Sequence, residues 1–160
     1  MTLLLDTNVV SELRKRPTRR PEAFNAWAAQ ASLEDTVISV VTVMEIRRGV
    51  ELKRRNDPAQ GEVLAEWFHR LLDAYRGRIY LIDTAVAQQA GLLQVPDPRP
   101  IADTLIAATA IVHDFTVATR NTADFTGTGV PLVNPWTPAP SSGLSVSPTE
   151  LLRRMRDAGS

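Results

Sequence analysis

"LLLDTNVVSEL", residues 3–13, decides how the rest of this chain is read. Three leucines run straight into Asp6, and after Thr7 and Asn8 the apolar pattern resumes. The leucines read as a short buried strand, and a helix is expected from about Val9. The carboxylate stands at the junction, where a buried strand gives it no evident reason to be.

The same alternation continues along the chain. "VISVV" (37–41), "IYLID" (79–83), "FTVAT" (115–119) and "PLVN" (131–134) are brief, nearly continuous apolar runs, as in a sheet covered on both faces. Helical patterns fill the gaps at residues 21–31, 43–54, 60–75, 85–93 and 101–113. Strands alternating with helices define an α/β fold with a parallel sheet between helical layers.

With 160 residues, 44% of them hydrophobic, the chain suits one domain with a sizeable core. Lysine plus arginine equals aspartate plus glutamate, 18 each, so net charge selects no partner and charge placement has to. No cysteine is present, which excludes disulfides and thiolate zinc sites and fits the cytoplasm. No signal peptide or membrane span is expected. From Thr137 the composition turns to a proline- and serine-rich linker, and "SPTELLRRMRDA" (147–158) carries capping signals for a short helix. Residues 1–136 are therefore read as the domain and 137–160 as an appendage of unknown role.

Four carboxylates recur at the junctions. Asp6 ends the first run, Glu45 follows the second, Asp103 opens "IADTLIAATAIV", and Asp124 follows the fourth in "TRNTADF". Each has a local explanation. Asp6 suits a helix cap, Thr42 with Glu45 a capping box, Asp103 a helix dipole, and Asp124 an Asx turn. Together they point elsewhere, because ligands of open parallel sheets bind beyond the carboxyl ends of the strands. Asp103 is the only charged side chain from Ile101 to Val112, and a buried carboxylate needs a positive partner. Oxygen-only ligands suit Mg2+ or Mn2+. Asp83 also precedes a threonine after a strand, and is read as a helix cap.

At this point "LLLDTNVVSEL", "ISVVTVMEIRRGV", "PIADTLIAATAIVHDFTVATRNTADF" and "PLVNPW" together resemble the PIN-domain ribonucleases. The resemblance is to the VapC/FitB-like toxins of toxin–antitoxin pairs in particular, and it covers about residues 2–136. It implies a PIN-like three-layer α/β/α fold with a five-stranded sheet ordered 3-2-1-4-5, strand three at an edge. It also implies an acidic pocket formed by Asp6, Glu45, Asp103 and Asp124, holding Mg2+ with Mn2+ able to substitute. Thr7, Asn8 and Asn121 fall on polar positions beside that pocket. The implied activity is hydrolysis of RNA phosphodiesters, leaving 5′-phosphate and 3′-hydroxyl ends. The implied partners are a VapB-like antitoxin and a second copy of the chain.

An acidic pocket repels RNA, so a basic rim is expected. "RKRPTRR" (14–20) is the densest basic cluster, and Arg14 and Arg47 stand nearest the acids in sequence. Solvated helix ends explain these charges equally well. His69 and His113 read as structural, and Trp27, Trp67 and Phe68 as core or interface residues. Other α/β classes fit poorly. Asn8 replaces the second aspartate of an aspartyl-nucleophile phosphatase, no lysine follows Lys53 for a receiver domain, and no glycine follows strand one for a dinucleotide fold. The non-enzyme alternative is a PIN-like module that binds RNA or protein without cutting.

Overall fold

All three residues of the first strand, β1 (Leu3–Leu5), are buried, as a leucine run between two helical layers should be. A computed structural model describes residues 1–139. The expected helix at 147–158 lies outside the described residues. β1 leads into α1 (Thr7–Leu13), then α2 (Glu22–Gln30) and β2 (Thr36–Ser39). Next come α3 (Val40–Asn56), α4 (Pro58–Ala74), β3 (Ile79–Tyr80), α5 (Thr84–Leu93) and α6 (Ile101–His113). The order ends with β4 (Thr116–Ala118) and β5 (Leu132–Val133).

The five strands form one sheet in the order β3-β2-β1-β4-β5, as expected, and each neighbouring pair is parallel. Side chains alternate across it with the period of two that a pleated strand imposes. Leu3, Leu5, Ile38 and Ala118 face a core shared with Val9, Phe24, Val50 and Phe68, from α1 to α4. Leu4, Val37 and Val117 face the opposite core, with Ile106, Ala107 and Ala110 of α6. α5 packs outside, Val86 and Ala90 meeting Ala108. The result is an α/β/α sandwich. No helix among the described residues is long and apolar enough to cross a membrane.

Two local expectations are corrected. "VISVV" is a strand only as far as Ser39; Val40 and Val41 already belong to α3. The reason is a serine. Ser39 Oγ accepts the Val41 amide at 3.1 Å, so the helix is capped there rather than at Thr42. The expected Thr42–Glu45 capping box does not form, and Glu45 lies in the second turn. "IYLID" likewise pairs only at Ile79 and Tyr80 before Asp83 caps α5, accepting the Val86 amide at 2.9 Å. That outcome matches the reading of Asp83 as a cap.

α6 sets the geometry of the site. It closes at Asp114, which adopts the left-handed conformation (φ 58°), and Phe115 N then donates to Ala110 O at 2.8 Å. The chain turns there into β4, so the C-terminus of α6 lies at the amino edge of the sheet. Its N-terminus, about 20 Å away along thirteen residues, lies at the carboxyl edge.

Candidate metal centre at the carboxyl edge

Strand register brings the first components together. Leu4 pairs with both Val37 and Val117. Two residues further along each strand stand Asp6, Ser39 and Thr119, level at the carboxyl edge and facing the α6 side of the pleat. The first turn of α6, with Asp103, lies at this edge.

Asp6 is 6% exposed and firmly held. It is the N-cap of α1, its Oδ1 accepting the Thr7 amide at 2.8 Å. Its Oδ2 accepts the Thr119 hydroxyl at 2.7 Å and the Asn8 side-chain amide at 3.2 Å. Each carboxylate oxygen has two lone pairs, so Oδ1 keeps one for a further partner. Asn8 also spans the sheet, its Oδ1 accepting the Arg120 amide at 3.2 Å. Capping and site-building are thus one arrangement for Asp6, not alternatives.

Glu45 arrives from α3. Thr7 Oγ1 donates to Glu45 Oε1 at 2.8 Å and lies 3.1 Å from Thr42 Oγ1. A hydroxyl has one proton, so Thr42 must supply the second contact. This ladder fixes Glu45 against the start of α1.

Asp103, half-buried in α6, senses all the others. Its carboxyl is pushed up to about 6, first by burial and then by the charges of Asp6, Asp124 and Glu45. Asp124 is exposed on the 3-10 turn Thr122–Phe125, which Asn121 precedes. Asn121 N donates to Thr119 Oγ1 at 3.0 Å, tying that turn to the strand end. The structure therefore gathers Asp6, Thr7, Asn8, Glu45, Asp103 and Asp124 around one edge, with Asn121 at the rim.

No lysine or arginine among the described residues forms an ion pair with any of the four acids; the pairs that do form involve Glu12, Glu51, Glu62 and Asp73. Unneutralised carboxylates in one field favour a hard cation. Among the described residues, however, no three His, Cys, Asp or Glu side chains stand in an array that would hold a metal ion. Mg2+ needs only one or two carboxylates, with water completing its shell. The donor chemistry and surplus charge fit such an ion, held partly through water.

The basic candidates fall further out. Arg14 follows the last residue of α1, its guanidinium 6.0 Å from the Trp67 ring centroid. Arg47 pairs with Glu51 at 2.9 Å and lies about 200° around α3 from Glu45. Arg48 is the arginine on the Glu45 side. His113 is at the other end of α6, about 15 Å along the axis from Asp103, packed on Tyr80 and Phe115. The hold of Thr119 on Asp6 and the contact of Thr42 with Thr7 were not foreseen from sequence. For Thr119 the available signal was a hydroxyl after "TVA" at the same distance past its strand as Asp6.

This fold, with its acidic carboxyl edge, defines a class: residues 3–129 match the PIN domain model, and the chain belongs to the PIN domain family. Within it, the chain is 38% identical over 146 residues to VapC ribonuclease Y4jK of Sinorhizobium fredii, covering 86% of this chain and 99% of that one. It is 40% identical over 145 residues to toxin FitB of Neisseria gonorrhoeae, covering 84% and 98%. The solved structure of FitAB bound to IR36 DNA superposes with a TM-score of 0.78 at 35% identity, covering 88% of this chain and 99% of that one. Solved VapBC and FitAB toxin–antitoxin complexes are its structural neighbours.

Proposed function

We propose that this chain is a metal-dependent ribonuclease toxin of a toxin–antitoxin pair, held inactive by a VapB-like antitoxin. The supporting observation is the convergence of Asp6, Glu45, Asp103 and Asp124 from four separate segments on one sheet edge, where no lysine or arginine among the described residues pairs with them. The ribonuclease and toxin names of the relatives support RNA as the substrate class and a toxin–antitoxin pair as the setting.

Asp6, Asp103 and Glu45 would hold Mg2+ or Mn2+, directly or through water, and Asp124 would complete the site or orient the attacking water. When bound, such an ion acidifies a water and stabilises charge on the departing oxygen. The chain does the rest. Thr119 and Asn8 fix the Asp6 carboxylate, and Thr7 fixes Glu45. Asn121 at the rim would contact a phosphate. Asp103, its carboxyl raised to about 6 by burial and by the other three acids, would respond to opposing charge in the site. Water enters at phosphorus and the 3′-oxygen leaves with a proton, giving 5′-phosphate and 3′-hydroxyl ends.

The rival reading is a PIN-like module that binds RNA or protein without cutting; among the described residues no three carboxylates stand in an array that would hold a metal ion. Expression of the chain alone in a bacterial host separates the two. Growth arrest relieved by Asp103→Asn, with manganese-dependent RNA cleavage by the purified wild type, supports the nuclease. Arrest that persists in the variant, without cleavage by either protein, rejects it.

A further inference from the structure

Behind α1 lies a concavity of about 710 Å3 lined by Arg14, Lys15, Arg16 and Arg19. In a chain whose charges balance overall, four cations converge on one basin. Like charges so placed repel, and a concave wall of one sign focuses its field on a counter-ion.

Hydrogen bonds fix the backbone of the loop that carries these side chains. Arg20 folds back on the end of α1, Nε donating to Glu12 O at 3.2 Å and Nη2 to Leu13 O. Asn25 Nδ2 on α2 donates to Pro17 O at 2.7 Å. Within the loop, Arg19 N donates to Arg16 O at 2.8 Å and Arg20 N to Pro17 O at 3.2 Å. These bonds fix the backbone and employ Arg20 elsewhere. Lys15 is partly neutralised by Glu12 at 2.6 Å, whereas Arg16 and Arg19 form no ion pair among the described residues. Both are exposed. Two planar guanidiniums on a fixed loop match the bidentate geometry of phosphate.

We propose that this basin binds the phosphate backbone of the RNA substrate a few nucleotides from the scissile bond. The choice of polymer rests on the ribonuclease reading above. α1 begins at Asp6 and ends at the basin, about 12 Å along its axis, a span of a few nucleotides. An acidic pocket repels a polyanion, and a cationic basin at the other end of the same helix anchors the strand that must enter it.

The test uses the full chain, a short fluorescein-labelled single-stranded RNA, and anisotropy titrations over a range of salt in EDTA. Wild type should bind with a steep salt dependence. In Arg16→Ala/Arg19→Ala the affinity should fall about tenfold at low salt, and the slope of log K against log salt by about 1.4, or about 0.7 for each phosphate no longer neutralised. Arg16→Lys/Arg19→Lys, which keeps the charge, should restore most of the slope. With manganese, the alanine variant should show a raised KM and an unchanged kcat. An unchanged slope overturns the proposal, as does a lost slope that lysine, which keeps the charge, fails to restore. Wild-type binding to polyglutamate instead of RNA also overturns it, in favour of an acidic protein. Cleavage by wild type with an unaltered slope sinks the basin alone, whereas the expected slope without any cleavage sinks the nuclease reading alone.

Discussion

Thr119 holds the buried Asp6 carboxylate through a 2.7 Å bond from a hydroxyl that is itself fully buried. A hydrogen bond to a buried charge contributes about 1.5–3 kcal/mol. Thr119→Val keeps the shape and removes the donor, so denaturant unfolding should show a loss of about 2 kcal/mol. Asp103 should behave in the opposite way. Its carboxyl, normally near 3.8, is raised to about 6 by burial and by three carboxylates. The folded state therefore binds more protons than the unfolded chain between these values, and stability falls as pH rises through that window. Above it the full penalty persists. Asp103→Asn should thus raise the melting temperature of the metal-free protein at pH 7.5, by on the order of a degree or two after solvent screening. The gain should vanish near pH 3.5 in a thermal scan across pH. A variant less stable than wild type at pH 7.5 would contradict this account of the site. A residue whose removal stabilises the fold is retained for something other than folding.

At the scale of elements, α3 and α4 form a close antiparallel pair, and their packing turns on one glycine. A Cβ on Gly61 would meet the Arg54 side chain and lie 2.6 Å from Arg54 Cα and 2.8 Å from its N. Backbone atoms inside a helix cannot step aside as a flexible side chain could. Gly61→Ala should therefore destabilise by about 1–3 kcal/mol through overpacking, despite the better helix propensity of alanine. A thermal melt checks this, and a variant of equal or higher melting temperature refutes the close approach. The start of α3 is governed just as locally. Val40 and Val41 are β-branched and continue an apolar run, so local preference favours strand. The Ser39 side chain ends the strand instead, moving the helix start ahead of Thr42. That shift removes the capping role of Glu45 and leaves it to Thr7 and the pocket.

For the whole molecule, the parallel order β3-β2-β1-β4-β5 places β1 at the centre, with α1 and α3 starting at its carboxyl edge and α6 starting above it. Three helix N-termini surround the acids, and their dipoles favour negative charge there. The proposed metal site links this edge to global stability by mass action. At a manganese concentration about one hundred times its dissociation constant, the wild-type melting temperature should rise by about 5–10 °C. Asp6→Asn/Asp103→Asn should not respond. An equal rise in both proteins would place the ion elsewhere.

The sequence by itself determined the alternation of buried strands and helices, the cap at Asp83, and the anomaly of Asp6 and Asp103, because strand period, capping chemistry and an unpaired charge in an apolar run are local properties. Four motifs in register were enough to suggest the strand order through family resemblance. Tertiary structure alone decided that Thr119 would grip Asp6 and that Glu45 would answer to Thr7. Those outcomes depend on parallel register between segments far apart in the chain, and on helix starts set by a single side chain. A displacement of one residue in strand register reverses which way a side chain faces, and in a helix turns it by about 100°, and pairing between distant segments is not written in any short stretch of sequence.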